Sequence, residues 1–373
     1  MLAPFVSFGP VYLDFMLRQE EGEAARLLYG NERVLQSHAV QGGKDNFSLL
    51  LADSYDGKRL EVSLRSSVER GEATISLDGT RTSGAYETAL GGSTANFAVQ
   101  LQRLGMNPLL VGTYGNDACG RRVRDLLNGS VDSRLSEVDA LQTITINVIH
   151  PGTQEAAMLT SGGSNRELNL ELLTQTFPEV IGPGTFLYAG GFFKQEHLFP
   201  HYPEIFQAAR MRGATVILDH GRFLDAAGSP KFLEEVAAAR SALQYVDIYL
   251  PNKLELEGLT GQANVEDALR EAASMGPGLV VCKRGAEGAS FIDGKRIYHL
   301  PQQGRGGDII SLVGAGDFFN AILVTVLKKG GPVETAVSYA NLGAYHKITV
   351  GTAPTLAQLE SAQLRNALED FPI

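Results

Sequence analysis

Apolar positions along the chain fall into two rhythms. From Gly91 onward, short runs rich in Val, Ile and Leu alternate with stretches of helical spacing. The runs Pro108–Thr113, Thr143–His150, Thr185–Ala189, Thr215–Asp219, Asp247–Leu250 and Gly278–Cys282 read as strands. Ala95–Leu104, Gly120–Leu127, Pro203–Arg212, Pro230–Ala242 and Val265–Met275 read as helices between them. Strands this apolar, separated by helices of about 10–15 residues, predict an α/β fold with a mostly parallel sheet covered on both faces. Phe5–Phe8 supplies a further strand that ends at Gly9-Pro10, with Asp14 just beyond, and Ala357–Ile373 reads as a closing helix and tail.

Residues 15–88 keep the other rhythm. Phe47–Leu51 and Leu60–Leu64 alternate apolar and polar positions around Asp56-Gly57, which is the pattern of a β-hairpin. Ala73–Leu77, before Asp78-Gly79, adds a strand. This polar, strand-rich segment is read as a β-rich lid or insertion subdomain, set on an α/β core of residues 1–14 and 89–373.

Composition narrows the function classes. A chain of 373 residues with 44% hydrophobic and 20% charged positions can bury a substantial core. Its formal charge of −10 argues against nonspecific binding to nucleic acid or an anionic membrane surface. No apolar run reaches the length of a membrane span, and Met1-Leu2-Ala3-Pro4 lacks the basic start of a signal peptide, so a soluble cytoplasmic protein is expected. Two cysteines, Cys119 and Cys282, make neither a disulfide framework nor a zinc site and are read as buried thiols.

The most informative run is Gly314-Ala315-Gly316-Asp317, entered from Ile309–Val313, read as an extended segment, and followed by an apolar helix over Phe318–Leu327. Two glycines let a tight turn aim its N–H groups at one point, where a helix start leaves further donors unpaired, and such a point attracts phosphate. A carboxylate at that point repels an anion unless it has a task, and deprotonating an attacking hydroxyl is the obvious one. Other polar groups follow predicted strands: Asp14, Gly91-Gly92-Ser93-Thr94-Ala95-Asn96, Asp219-His220-Gly221-Arg222, Pro251-Asn252-Lys253-Leu254-Glu255 and Lys283-Arg284-Gly285-Ala286-Glu287-Gly288. Taken singly, Asp14 or Asn252 could cap a helix and Gly285 with Gly288 could make a plain hairpin turn. Such readings leave unexplained why all of them fall at one edge of the predicted sheet, where open α/β folds bind ligands.

These residues carry a family resemblance. Gly91–Val99 with Leu104-Gly105, continued by Gly112–Asp117 and Gly120, resembles the first signature of the ribokinase-like carbohydrate kinases, the PfkB family, and Gly314–Asp317 is similar to the core of the second. The resemblance implies a ribokinase-like layered α/β/α fold with a β-rich lid, and transfer of the γ-phosphoryl group of ATP to a hydroxyl of a small sugar or sugar acid, with Mg²⁺. It implies Asp317 as general base and the N–H groups of Gly314, Ala315 and Gly316 as anion hole. It implies Asp14, Gly92 and Asn96 as ligands of substrate hydroxyls. Asn252, Lys283, Gly285, Gly288 and Asn341 are implied at the nucleotide, Glu255 at Mg²⁺ through water, and Arg222 near the phosphates. It further implies a lid that closes over the substrate, and a homodimer through the lid.

The chain departs from the pattern at Ser311 and Leu312, where the family usually has Asp-Thr, and the Asp helps form a monovalent-cation site in many members. Potassium activation is therefore not expected. Tyr188–Phe193 resembles a stretch of adenosine kinases, so Phe192 and Phe193 either pack in the core or stack on a purine. A nucleoside kinase is the alternative to a sugar kinase, and a catalytically weak sugar- or nucleotide-binding regulator is the alternative to both. A dinucleotide-binding dehydrogenase fits poorly, because no Gly-x-Gly-x-x-Gly follows the first strand.

Overall fold

The computed structural model describes residues 3–19, 32–35, 38–55, 57–149, 156–192, 195–223, 227–302, 308–310 and 312–350. The expected closing helix over Ala357–Ile373, together with Asp56, His150, Phe193 and Ser311, lies outside them. The chain folds into two compact units, residues 1–9, 96–111 and 169–373 in the first and residues 10–95 and 112–168 in the second.

The Val/Ile/Leu-rich runs form the sheet of the first unit because they can be buried on both faces. Phe5–Phe8 lies parallel between Pro108–Gly115 and Phe186–Gly190. Thr215–Asp219, Ile248–Tyr249 and Leu279–Lys283 continue the parallel run. Two antiparallel strands, Ala289–Asp293 and Arg296–Leu300, extend it beyond Leu279–Lys283, and neither stands out by pattern in the sequence. The fold is the layered α/β fold expected, with a mostly parallel sheet. Register aligns Gly190 with Asp219, and a further bridge aligns Asn252 with Lys283. The polar groups after these strands therefore share the carboxyl end of the sheet, as strand direction requires.

Helix Ala315–Lys328 runs through the core and is buried from Phe318 to Val326. It packs on Val333–Val350 and into a cluster with Phe97, Tyr188 and Phe291. Its start differs from the expected Phe318: Gly314 at φ 74° is the N-cap, so Asp317 falls in the first turn. Ile309 and Ile310, in the approach to it, do not form a strand. Ile309, Ile310 and Leu312 are exposed, and the Ile310 N–H goes to the carbonyl of Ile348 (2.7 Å), a helical residue and not a sheet partner. An apolar run becomes a strand only where a sheet edge receives it.

In the second unit nine strands form one sheet, in the order 32–35, 156–161, 144–149, 12–19, 80–91, 70–77, 58–66, 47–55 and 38–41. The hairpin expected around Asp56-Gly57 is present, with Tyr55 opposite Lys58. Strand Tyr12–Gln19 joins the halves, parallel to Ile144–Ile149 and antiparallel to Thr80–Gly91. These pairings bring Ile144–Ile149 and Ala156–Ser161 into the same sheet as the strand-rich segment. His38, on one edge strand, bonds to Ser161 Oγ at 2.7 Å, although Ser161 belongs to the strand next to the opposite edge. The sheet therefore curls on itself. Phe15 stacks on Phe47 and meets the ring of Tyr86 edge-on inside the curl.

Helix Ala118–Leu127 packs against this sheet and buries Cys119, Val123 and Leu127. Asp117 caps it by accepting from the Gly120 N–H (2.8 Å). A Cβ at Gly120 would stand 1.8 Å from the carbonyl oxygen of Gly115, so only glycine lets the helix lie this close to the strand. We predict that Gly120→Ala lowers unfolding stability by about 1–3 kcal/mol, measured by urea denaturation. A wild-type midpoint would show that the helix can back away from the strand without loss.

Candidate active site

Gly314 holds a left-handed backbone that an L side chain adopts only under strain, and it turns the chain into the helix. The first intrahelical bond runs from the Phe318 N–H to the Gly314 carbonyl (3.0 Å). The Ala315 N–H bonds weakly to the Leu312 carbonyl (3.3 Å). The N–H groups of this first turn, Gly316 and Asp317 among them, have no acceptor one turn back in the helix. A turn of this kind is suited to an anion.

Asp317 is half-buried on that turn, and its Oδ2 accepts from Asn96 Nδ2 at 3.0 Å. Asn96 reaches it from the first turn of helix Ser93–Arg103, so two expected site residues 221 positions apart are brought together. Burial first, and the neighbouring Asp219 carboxylate second, push the Asp317 carboxyl up to about 7, against the opposing pull of Asn96 and Lys283. A carboxyl poised near neutrality can take a proton from a hydroxyl and release it again.

Behind the turn lies a polar cluster for which the sequence suggested no such role. Lys283 Nζ donates to Asp219 Oδ2 (2.7 Å) and to Asn320 Oδ1 (3.3 Å). Asn320 Nδ2 donates to Asp219 Oδ2 (2.5 Å) and to the Tyr188 hydroxyl (3.2 Å). The side chains of Lys283 and Asp219 are only 14% and 9% exposed, so this pair is held out of water. Burial pushes Asp219 up, but the charge and hydrogen bond of Lys283 outweigh it and hold the carboxyl below its ordinary value. Burial pulls Lys283 down, and Asp219 outweighs it, keeping the ammonium charged. Lys283 is the residue expected at the nucleotide, and its ammonium is engaged by Asp219 and Asn320. Asn320 had one legible signal, an amide three residues after Asp317 in an apolar helix and so on the same face.

Asn252 and Glu255 form a reciprocal capping box at helix Lys253–Thr260: the Asn252 N–H donates to Glu255 Oε2 (2.7 Å) and the Glu255 N–H to Asn252 Oδ1 (2.9 Å). Both the bland and the functional reading of Asn252 are therefore compatible with its place. Among the described residues no cluster of three His, Cys, Asp or Glu side chains forms a metal cage. A carboxylate-poor setting with Glu255 beside it fits Mg²⁺, which keeps its waters and leans on substrate phosphates. Gly285 (φ 56°) opens the turn after Lys283, with nothing near the position a Cβ would take. Gly288 (φ 86°) closes it, and a Cβ there would stand 2.2 Å from the Leu300 carbonyl. Asn341 is buried with its Nδ2 unpaired, an amide able to meet a ligand acceptor, and Arg222 is exposed.

In the second unit Asp14 is buried on strand Tyr12–Gln19, and a Cβ at Gly91 would fall 2.0 Å from its carboxylate. Gly92 (φ 88°) lies against Pro10, where a Cβ would stand 2.3 Å from the carbonyl. The first Gly-Gly pair thus makes room for Asp14 and for the turn into the helix. Phe192 packs between Phe199 and Tyr202, with centroids 5.0 and 4.2 Å away, and is fully buried. Of the two readings of Phe192, core packing is the one realised.

A profile of the pfkB family carbohydrate kinases matches residues 67–355. The chain belongs to that family. Family membership carries the expected enzyme class, a carbohydrate kinase. The bifunctional protein HldE of Alkalilimnicola ehrlichii is 29% identical over 290 residues, covering 75% of this chain and 55% of that protein. The chain thus spans about half the length of several curated relatives it matches. The ATP-dependent ribose-1-phosphate kinase of Halopiger xanaduensis is 30% identical over 258 residues, covering 67% of this chain and 77% of that one. A candidate ribokinase II of E. coli, solved with ATP and Mg²⁺, superposes with a TM-score of 0.68 at 15% identity over 99% of this chain and 100% of that one. Adenosine kinase from Sinorhizobium meliloti gives 0.69 at 14% identity over the whole of both chains. At such identity these two establish the shared fold.

A carboxyl raised to about 7 has a consequence for stability. The unfolded chain releases this proton near the ordinary value of 3.8 and the folded chain only near 7, so folding stability falls as pH rises through that window. We predict that Asp317→Asn melts higher than the wild type at about pH 8, with the gap shrinking toward about pH 5. Equal melting temperatures at both values would show that Asp317 is not raised.

Proposed function

We propose that the chain transfers the γ-phosphoryl group of ATP to a hydroxyl of a small sugar-type acceptor, with Asp317 as general base. The observation that carries this reading is the half-buried Asp317 carboxyl, poised near neutrality on a glycine turn and oriented by Asn96. In it, Asp317 takes the proton of the attacking hydroxyl, and the N–H groups of Gly314, Ala315 and Gly316 face the phosphoryl oxygens as charge develops. Fixed dipoles of this kind are worth about 3 kcal/mol per donor in the transition state. Asp14, Gly92 and Asn96 are assigned to acceptor hydroxyls. The backbone at Gly285 and Gly288 and the unpaired amide of Asn341 are assigned to the nucleotide, with Arg222 near its phosphates. Asn252 and Glu255 would order the waters of Mg²⁺, which when bound supplies charge neutralisation between the phosphates.

A sugar-type acceptor is favoured over a nucleoside by two observations. Phe192, one of the two candidate purine platforms, is spent in the core, and a relative at 30% identity carries the name of a ribose-1-phosphate kinase. The lid role of the strand-rich segment, pairing of two subunits through it and a cytoplasmic location are proposed on family ground. Among the described residues no helix is long and apolar enough to cross a membrane.

The test is ATP consumption with Mg²⁺ against a panel of sugars, sugar phosphates, sugar acids and nucleosides. We predict turnover on a sugar-type acceptor, and a loss of about a thousandfold or more in kcat for Asp317→Asn with ATP binding retained. Near-normal turnover in that variant would overturn the base assignment, and binding without turnover across the panel would favour a regulator. We also predict that exchanging sodium for potassium changes the rate little, given Ser311 and Leu312. A strong potassium requirement would mean that other residues supply the cation ligands.

A further inference from the structure

Lys283, Asp219 and Asn320 are buried together, and none was expected to touch an acceptor hydroxyl. Their place is what gives them a part in the chemistry. The Lys283 ammonium lies 3.8 Å from where a Cβ on Gly316 would stand, so it is tethered against the turn that carries the proposed anion hole. Asn320 is one helical turn from Asp317 on the same helix and ties both members of the ion pair to that helix. Its amide also reaches Tyr188, whose ring stacks on Phe97 (3.7 Å), next to Asn96 in the helix that supplies the Asp317 hydrogen bond. One cluster thus braces the turn and the orienting amide together.

We propose that Lys283 and Asp219, joined through Asn320, are positioning residues of phosphoryl transfer: a tethered cation behind the glycine turn and its carboxylate tether, which together set the charge that Asp317 feels. The inference rests on the reading of Asp317 as base. A surface lysine in the same role would wander and be screened; this one is fixed by two hydrogen bonds in a dry setting, where a nearby charge acts more strongly. Among the described residues the charged groups acting on Asp317 are Asp219 and Lys283, and Asn96 is a neutral donor. His220, beside Asp219, is pushed down to about 4 by burial and so adds no charge near neutrality.

Because the two members carry opposite charge, their removal has opposite signs, which a purely structural brace would not produce. The experiment is the pH dependence of kcat, with the KM for ATP, in Asp219→Asn, Lys283→Met and Lys283→Arg, with Asp317→Asn alongside. While Asp219 stays ionised, removing the cation makes Asp317 harder to deprotonate, so the acidic limb in Lys283→Met moves to higher pH by on the order of one unit. Removing the carboxylate does the reverse, and Lys283→Arg retains most of the wild-type position. Asp219→Asn preserves shape, so the sign test survives even if Lys283→Met does not fold. Limbs that stay put or move in the same direction overturn the proposal. So does a tenfold rise in the KM for ATP confined to the Lys283 variants, which would make Lys283 a phosphate ligand. An active Asp317→Asn would instead overturn the base itself, so the two failures are distinct.

Discussion

Placing two carboxylates, Asp219 and Asp317, close together and partly out of water is unfavourable, and the arrangement of the first unit answers that cost. Burial raises the Asp317 carboxyl toward neutrality, and the repulsion of Asp219, held ionised by Lys283 in a buried charged pair, adds to it. A buried pair of this sort contributes little net stability, because desolvation offsets its attraction. Its worth is in fixing charge at a defined point. The strands ending at Asp219 and Lys283, the helix carrying Asn320 and the ring of Tyr188 are all required to keep it there.

The same economy of space explains the glycines. Gly314 supplies a backbone angle that puts Asp317 on the first helical turn, and Gly316 leaves room in front of the Lys283 ammonium. In the second unit Gly91 makes room for the Asp14 carboxylate, and Gly120 lets a helix touch a strand. Gly91 and Gly120 are close approaches to a neighbour that leave no space for a Cβ, whereas Gly314 is set by its left-handed backbone. The sequence motifs that identify the family are therefore partly chemical and partly steric: Asp317 and Asn96 belong to the first kind, Gly91 and Gly120 to the second.

Much of this architecture is legible in the pattern of apolar residues. Parallel strands buried on both faces leave continuous runs such as Leu109–Val111 and Val216–Leu218, and the helices between them keep their spacing. Arg296–Leu300, half-exposed and carrying Arg296, leaves no such trace, although its Tyr298 and Leu300 pack against the core. Ile309–Val313 shows the converse, an apolar run with no sheet edge to receive it.

The glycine turn and its carboxylate, the polar residues at the ends of the strands and the class of fold they serve are legible along the chain, because they depend on local backbone chemistry and periodicity. That Asn96 meets Asp317, that Lys283 belongs to Asp219 and Asn320, and that Ile144–Ile149 and Ala156–Ser161 share a sheet with the strand-rich segment is settled only in three dimensions. Those are contacts between residues tens to hundreds of positions apart. They are selected by which buried charges find partners and which strand edges find ladders, and neither choice is written in any local stretch of the chain.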